Sequence, residues 1–506
     1  MAGFVSLIGA GPGDPGLLTL HAARALREAE VLLYDALASD AVVALASPSC
    51  ERTFVGKRGG NHAMPQERIE ELMIARAREG KRVVRLKGGD PLVFGRGGEE
   101  AQRLHAAGIP FEIVPGISSA IAAPAYAGIP VTHRDCNVAF TVATGHEDPT
   151  KAENTLDWSK LADPHRTLVL LMAMGNLAEI ATRLCEHGLA AETPAAVIEN
   201  GTRPSQRTVT GTLATIAEAA KNAGLAAPAI FIVGEVVRLR DELRWFDRSP
   251  LFGKRLLLTR PAEQSEEFAA RALARGIEPI LAPTIEIEAP EDPTPANDAI
   301  ERLDGYAWVL FTSRNGVDAC FARLHALGRD ARAFGHARVA AIGAKTAERL
   351  AEYGVRADLV PSTYVAEELA AELLHRDRAG AESRMLLYRA QDARDVLPSV
   401  LAAEGMQVDD VAAYRTRFAH DPHFAEKAAR AELIAFTSAS TVRGYIDQFS
   451  DAAAALESAR GKIVGAIGPI AAEAARSLGF HVDLVADVAT TDALLDAFET
   501  FFTVKK

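Results

Sequence analysis

Residues 5–19 read VSLIGAGPGDPGLLT. Phe4 to Ile8 is an apolar, β-leaning run, Gly9 to Gly16 is a turn of glycine and proline, and the apolar spacing from Leu17 onward has a helical period. The unit is a strand, a loop and a helix, and it opens an α/β fold. A dinucleotide fingerprint would need a third glycine where Asp14 stands, and Pro12 removes a backbone donor that a pyrophosphate would use. A nicotinamide site fails on that ground. A loop poor in donors but open along its backbone suits a cofactor without phosphate, which keeps nucleoside cofactors such as S-adenosylmethionine in play. The same loop reads equally well as a plain tight turn.

Working outward, Val31 to Tyr34 is a second strand that ends at Asp35 in VLLYDALAS. A carboxylate at the carboxyl end of such a strand faces the ligand crevice of an α/β sheet, and helix capping is the competing account. FVGKRGGNHAMPQERI then places Lys57 and Arg58 in a further loop after a strand. From Arg52 to Arg103 there are twelve Lys and Arg against seven Asp and Glu, a local basic excess in which an anion would settle. Within it RVVRLKGGDPLVFGRGGEEA is strand, turn and helix, with Gly88 and Gly89 allowing close backbone approach and Asp90 offering an acceptor for a ribose hydroxyl or an amino group. IPFEIVPGISSAIAAPAYAGIPVTHR puts Ser118 and Ser119 at a helix N-terminus, where a ligand or simple capping would use them. Beyond AFTVATGH, three more strands in TLVLLMAMGNL, PAAVIENGT and PAIFIVGEVV form a second lobe, joined near Glu147 to Asp163.

Composition bounds the function classes. With 506 residues the chain exceeds one ordinary core, and 67 Asp and Glu against 55 Lys and Arg give a net charge of −12, which argues against general nucleic-acid or membrane binding. No apolar run approaches a membrane span and MAGFVSLIGAG lacks the basic region of a signal peptide, so a cytoplasmic protein is expected. Cys50, Cys136, Cys185 and Cys320 lie far apart without metal-ligand spacing, so neither a metal site nor a disulfide framework is expected.

GAGPGDPGLLTL, YDALAS, VGKRGGNH, RLKGGDPLVFGRGGEE, VPGISSA, GIPVTHR, TGH and ENGT, in this order over about residues 3 to 246, resemble uroporphyrinogen-III C-methyltransferase of the tetrapyrrole methylase family. The resemblance implies an S-adenosyl-L-methionine site between two α/β lobes, S-adenosyl-L-homocysteine as product, no metal, and a homodimer formed through this half. It places the cofactor against Pro12, Gly88, Gly89, Asp90, Val93, Ser118, Ser119, Met172 and Gly201, with Asp35 as proton acceptor and Lys57 as proton donor. A macrocycle with eight carboxylates makes Lys57, Arg58, Arg96 and Arg134 plausible charge partners. Methyl transfer from a sulfonium needs in-line approach and then loss of a proton, which Asp35 could take. Ala36 stands where the family usually has a basic residue, and that substrate contact is missing.

RWFDRSPLFGKR, residues 244–255, marks the join to a second half that repeats itself. AWVLFTSRNGV recurs as AELIAFTSASTV and VAAIGAKTAERLAEYGVRADLVP as VGAIGPIAAEAARSLGFHVDLVA; Phe311 and Phe436, Gly343 and Gly468, and Gly354 and Gly479 each lie 125 residues apart. LLLTRPAEQ and MLLYRAQDA form another pair, aligning Arg260 with Arg389. Two similar parallel-sheet α/β domains are predicted, with ligand sites at the FTS and AIG turns. Thr312, Ser313, Asn315, Thr346, Thr437 and Ser438 would line a cleft of helix N-termini able to bind carboxylates, though each by itself is explained as a cap.

TSRNGV, AIGAKTA, YRT and AFTSAST resemble uroporphyrinogen-III synthase over about residues 253 to 500. That resemblance implies one domain inserted in another, about 253–285 with 416–500 around 286–415, after a methyltransferase half at 1–248 whose lobes are about 1–150 and 151–248. It also implies that Tyr414 assists loss of the hydroxyl leaving group. A packed hinge residue is an equal account of Tyr414. Ala471 stands opposite Thr346, where the family usually has threonine. The expectation is a bifunctional enzyme taking small tetrapyrrole substrates; the alternative is a methylase of a later corrin intermediate with a non-catalytic, tetrapyrrole-binding C-terminal half.

Overall fold

The computed structural model describes residues 3–56, 64–145, 156–362, 366–376, 384–393 and 395–504. Their contacts divide into two compact units. The first is Met1–Leu256 with Glu267–Pro279 and Leu495–Lys506, and the second is Leu257–Glu266 with Ile280–Leu494.

The first unit opens with β1 (Phe4–Gly9), β2 (Val31–Tyr34), β3 (Glu51–Phe54), β4 (Arg82–Lys87) and β5 (Phe111–Val114), joined in the order β3-β2-β4-β1-β5. Every pairing is parallel. Helices cover both faces, so the central strands bury residues on both sides, mostly apolar. Ile8, Leu32, Val84 and Leu86 pack with Ala22 and Leu26 of the helix Leu20–Glu28. On the other face Val5, Leu7, Val31 and Val83 pack with Ile69 and Met73 of Gln66–Arg78 and Leu104 of Gly97–Ala106.

A second sheet follows, from β6 (Ala139–Thr144), β7 (Arg166–Leu171), β8 (Pro194–Glu199), β9 (Arg207–Thr212) and β10 (Ala229–Val233), in the order β6-β7-β10-β8-β9. Only β6 and β7 run parallel; the other three pairings are antiparallel. β6 precedes the stretch from Glu147 to Asp163 and already forms an edge of this sheet. β9 was not foreseen, because RTVTGT is a half-exposed edge strand with almost no apolar signal. The helix Ser119–Tyr126 leaves the first sheet and packs Ala120 and Ala123 on Val169, Ala196 and Ile230 of the second.

Two five-stranded layers make up the rest. β11 (Arg255–Leu258), β12 (Glu278–Leu281), β18 (Leu433–Phe436), β19 (Ile463–Ala466) and β20 (Leu484–Val485) lie in the order β12-β11-β18-β19-β20. β13 (Ile285–Glu288), β14 (Trp308–Phe311), β15 (Arg338–Ala341), β16 (Arg384–Ala390) and β17 (Gln407–Phe418) lie in the order β13-β17-β16-β14-β15. β13 is antiparallel to β17, and the other pairs of that sheet are parallel. The 125-residue spacing aligns β14 with β18 and β15 with β19, and it extends to the fifth strand: Leu484 pairs with Gly465, while Leu359 makes a single parallel bridge to Ala340. β16 and β17 then correspond to β11 and β12, so the two copies share one strand order with their chain entry points permuted.

One hydrogen bond repeats with the copies. Asp358 accepts from the Val339 N–H at 2.8 Å and Asp483 accepts from the Val464 N–H at 2.9 Å, pinning the fifth segment to the strand beside it. Both valines are buried, so losing the acceptor leaves a buried donor unsatisfied. Asp358→Ala and Asp483→Ala should each destabilise the protein by about 1–3 kcal/mol. Urea unfolding of the single variants tests this, and one variant at wild-type stability would show that the copies do not use the bond alike.

Candidate functional site

The loops after β1, β4 and β5 meet backbone to backbone. A Cβ on Gly9 would stand 2.5 Å from the Gly116 Cα, and one on Gly116 would stand 2.3 Å from the Gly89 carbonyl oxygen. Gly11 and Gly89 exchange both backbone hydrogen bonds, at 3.2 and 2.8 Å. The Asp90 carboxylate accepts from the Gly116 N–H at 3.1 Å and the Leu92 N–H at 2.8 Å. The N–H groups of Gly11, Gly89, Leu92 and Gly116 are thus spent inside the protein.

This cradle brings most of the expected cofactor residues together. Pro12, Gly88, Gly89 and Asp90 lie on the paired loops, and Val93 donates its N–H to the Asp90 carbonyl at 3.4 Å. Ser118 caps the helix Ser119–Tyr126 through the Ala120 N–H at 3.3 Å, and a Cβ on Gly89 would stand 3.7 Å from the Ser119 nitrogen and 3.8 Å from the Ser118 Cα. Gly201 arrives from the second sheet, with the position of a Cβ 2.4 Å from the Ala123 methyl. Met172, exposed and at positive φ, lines a cavity of about 410 Å³ with Leu92, Phe94, Thr144 and the Arg96–Glu99 pair. Leu92, Val93 and Phe94 after Asp90, and Ile117 and Ile121 beside Ser118 and Ser119, are exposed. Spent N–H groups and uncovered apolar side chains fit a nucleoside bearing a sulfonium, with no phosphate to hold.

Asp35 follows β2, and its loop abuts the cradle: a Cβ on Gly88 would stand 2.5 Å from the Leu37 Cβ. One Asp35 oxygen accepts from the Leu37 N–H at 3.1 Å and the other meets the Arg85 Nη2 at 3.4 Å, leaving the side chain about 24% exposed. Lys57 and Arg58 lie outside the described residues. Arg96 is exposed and pairs with Glu99 at 2.5 Å, and Arg134 is exposed. Neither is brought into contact with Asp35.

In the second unit Tyr414 of β17 is buried, and its hydroxyl lies 3.0 Å from the Ser313 Oγ. Ser313 caps the helix Arg314–Ala326 through the Gly316 N–H. Burial pushes the Tyr414 phenol above its ordinary range, opposed by hydrogen bonds to Ser313 and Asn315, so it is protonated at neutral pH and able to donate. Asn315 accepts from the Gln264 amide at 2.8 Å, and Thr312 is half-buried beside Ser313. In the other copy Ser438 caps Ala439–Asp447 in a reciprocal box with Thr441, which also takes the Thr437 N–H. Thr346 is buried in Ala344–Glu352, and Ala471 is buried at the matching place. Tyr414, Ser313 and Asn315 form one group; Thr437 and Ser438 form another.

Comparison with known proteins matches two families along the chain. Residues 5–217 match the family of tetrapyrrole (corrin/porphyrin) methylases, and residues 266–496 match uroporphyrinogen-III synthase HemD. The porphyrin biosynthesis protein HemD of Ruminiclostridium josui is 36% identical over 502 residues, covering 98% of this chain and 97% of that protein. The chain belongs to this family of fused tetrapyrrole methylases and uroporphyrinogen-III synthases. An S-adenosyl-L-methionine-dependent uroporphyrinogen III methyltransferase of Methanosarcina barkeri is 55% identical over 48% of this chain and 94% of its own length. The solved Thermus thermophilus uroporphyrin-III C-methyl transferase, complexed with S-adenyl homocysteine, is 42% identical, covers 47% of this chain and all of its own, and has a TM-score of 0.41.

The methylase half also contains charged residues that the sequence reading did not single out. Arg85, Lys87 and Glu100 are all buried beneath Asp35. Their signal was present in RVVRLK, where charges at alternate positions put both cations on one face of a strand. Arg203 is a second omission: it donates to the Leu37 carbonyl at 2.8 Å and packs over Gly13.

Since backbone stands on both sides of Gly116, no side chain can move aside for a methyl group there. Gly116→Ala should cost about 1–3 kcal/mol and weaken S-adenosylhomocysteine binding. Thermal unfolding and calorimetric titration check this; unchanged values for both would mean that the three loops do not need their close contact.

Proposed function

We propose that the chain is a bifunctional enzyme of tetrapyrrole biosynthesis. Its C-terminal half cyclises hydroxymethylbilane to uroporphyrinogen III with inversion of ring D. Its N-terminal half methylates that product at C2 and C7 with S-adenosyl-L-methionine to give precorrin-2. The observation that carries the reading is the adjacency of a phosphate-free cradle, built from Gly9, Gly89 and Gly116, to the partly exposed Asp35 carboxylate. The relatives named as a porphyrin biosynthesis protein HemD and as an S-adenosyl-L-methionine-dependent uroporphyrinogen III methyltransferase support tetrapyrrole biosynthesis as the setting of both halves.

In this reading Pro12, Gly88, Gly89, Asp90, Val93, Ser118, Ser119, Met172 and Gly201 hold the cofactor, which when bound supplies an electrophilic methyl group on sulfur. Asp35 takes the proton that the alkylated macrocycle must lose, a role for which its two fixed oxygens and open side suit it. Lys57 is the proton donor, and Arg58, Arg96 and Arg134 meet substrate carboxylates. Glu99 occupies Arg96 until a substrate carboxylate competes for it. In the synthase half Tyr414, protonated and hydrogen-bonded to Ser313, donates to the leaving hydroxyl, which departs as water. Thr312, Ser313, Asn315, Thr346, Thr437 and Ser438 receive carboxylates.

The methylase half spans about 1–248 and the synthase half 253–506, each folding by itself, in a cytoplasmic homodimer formed through the methylase half. Among the described residues no helix is long and apolar enough to cross a membrane, and no group of three or more His, Cys, Asp or Glu could hold a metal ion.

Incubation of the full chain with hydroxymethylbilane and S-adenosylmethionine should yield uroporphyrinogen III and then a species heavier by two methyl groups, followed by mass and absorbance. Methylation of a precorrin but not of uroporphyrinogen III would instead make the first half a later-corrin methylase. Binding of uroporphyrinogen III without turnover of hydroxymethylbilane would make the second half non-catalytic. Arg96→Ala and Arg134→Ala should raise KM for the macrocycle more than for S-adenosylmethionine; equal effects would make these arginines structural.

Residues 1–248 and 251–506, expressed separately, should each keep their own activity. The coupled reaction should then show a longer lag at low enzyme concentration, because the shared chain keeps the local concentration near the millimolar scale, on the order of 1 mM. An unfolded or inactive fragment would overturn the boundary.

A further inference from the structure

Arg85 and Lys87 are two residues apart on the central strand β4, so their side chains leave the same face, toward the helices Gln66–Arg78 and Gly97–Ala106. Both are buried, and they converge on Glu100, which has no exposed surface. One Glu100 oxygen accepts from the Arg85 Nε at 3.2 Å, the Lys87 Nζ at 2.9 Å and the Gln66 Nε2 at 2.9 Å. Each nitrogen of the Arg85 guanidinium has a partner: Nε on Glu100, Nη1 on the Leu86 carbonyl at 3.0 Å and Nη2 on Asp35 at 3.4 Å. The result is an alternating buried chain, Lys87, Glu100, Arg85 and Asp35, whose exposed end is the carboxylate next to the cradle. Burial and the neighbouring Arg85 hold the Lys87 ammonium below its ordinary range, so the array is costly to keep. Apolar residues of similar volume would fill this layer without that cost.

We propose that Arg85 is a positioning residue for Asp35, fixed in turn by Glu100, an inference that rests on the methyl-transfer reading above. A guanidinium can reach Glu100 and Asp35 with separate nitrogens along one rigid fork, and a lysine ammonium cannot. Arg85 and the Leu37 N–H together hold the two Asp35 oxygens, which sets the carboxylate plane before substrate arrives. Misplacing a reacting group by about 1 Å can cost on the order of 10²-fold in rate.

The test is a mutant cycle on methyl transfer to uroporphyrinogen III in the full chain. Arg85→Gln should lower kcat on the order of 10²-fold while KM for the macrocycle and the affinity for S-adenosylhomocysteine stay near wild type. In an Asp35→Asn background the same change should cost little more, because the group it positions is gone. Arg85→Lys should recover part of the loss. If Arg85→Gln does not fold, as thermal unfolding would report, Arg85→Lys takes its place in the cycle with the same loss of effect expected beside Asp35→Asn. An equal loss in both backgrounds, or a fall in S-adenosylhomocysteine affinity that matches the fall in kcat, would overturn the proposal. Wild-type turnover by Asp35→Asn would overturn the base assignment together with the proposal, and no methyl transfer by the wild type would overturn the functional reading itself.

Discussion

Gly9, Gly89 and Gly116 let three strand ends meet with backbone against backbone, and the methylase half depends on that contact. Parallel strands normally diverge into loops whose side chains keep them apart. Here the position of a Cβ on Gly116 falls 2.3 Å from the Gly89 carbonyl oxygen, so no side chain can intervene. Once the loops are this close their polar groups satisfy one another: Gly11 with Gly89, and Asp90 with the Gly116 and Leu92 N–H groups. A glycine-rich loop that binds phosphate leaves its N–H groups pointing outward. This one turns those of Gly11, Gly89, Leu92 and Gly116 inward and leaves the apolar side chains from Leu92 to Phe94 exposed.

The synthase half reaches its architecture by duplication. The two copies share a strand order, an N-cap serine at Ser313 and Ser438, and the aspartate that ties the fifth segment at Asp358 and Asp483. These shared features are scaffold. The copies differ at Thr346 against Ala471, and at Tyr414, buried against Ser313 in one copy only.

Much of this was legible in the sequence because it lies within short windows. The strand–loop–helix at Val5 to Thr19, the strand ending at Asp35 and the 125-residue repeat each need only neighbouring residues or an internal match. What escaped depends on partners distant in the chain. β9 is an edge strand whose residues are mostly half-buried and of mixed polarity, so its alternation is faint. The fifth segment of one synthase copy is a single bridge at Leu359, too short to show by composition, although its repeat partner is the strand at Leu484. Arg85 and Lys87 did signal a charged stripe on a buried face. Their partner Glu100 lies beyond the whole glycine loop on a helix, and only packing joins them.

Strain is distributed in the same place. Among the described residues the non-glycine positions at positive φ are Phe94, Arg96, Met172, Asn200 and Thr202, all in the methylase half and all on loops that carry or flank expected site residues. Each such residue costs on the order of 1–3 kcal/mol and persists only where its surroundings over-determine it. For Thr202 those surroundings form a closed circuit. The Thr202 hydroxyl accepts from the Asp14 N–H, its own N–H donates to the Gln206 side chain, the Gln206 amide donates to the Tyr126 carbonyl, and the Tyr126 hydroxyl donates to the Asp14 carboxylate at 2.7 Å. Burial and the Asp14 charge both push the Tyr126 phenol upward, which keeps it the donor in that bond. The circuit ties the first glycine loop, the helix that leaves Ser118 and the loop that carries Gly201. The left-handed turn at Thr202 is the local cost of that tie.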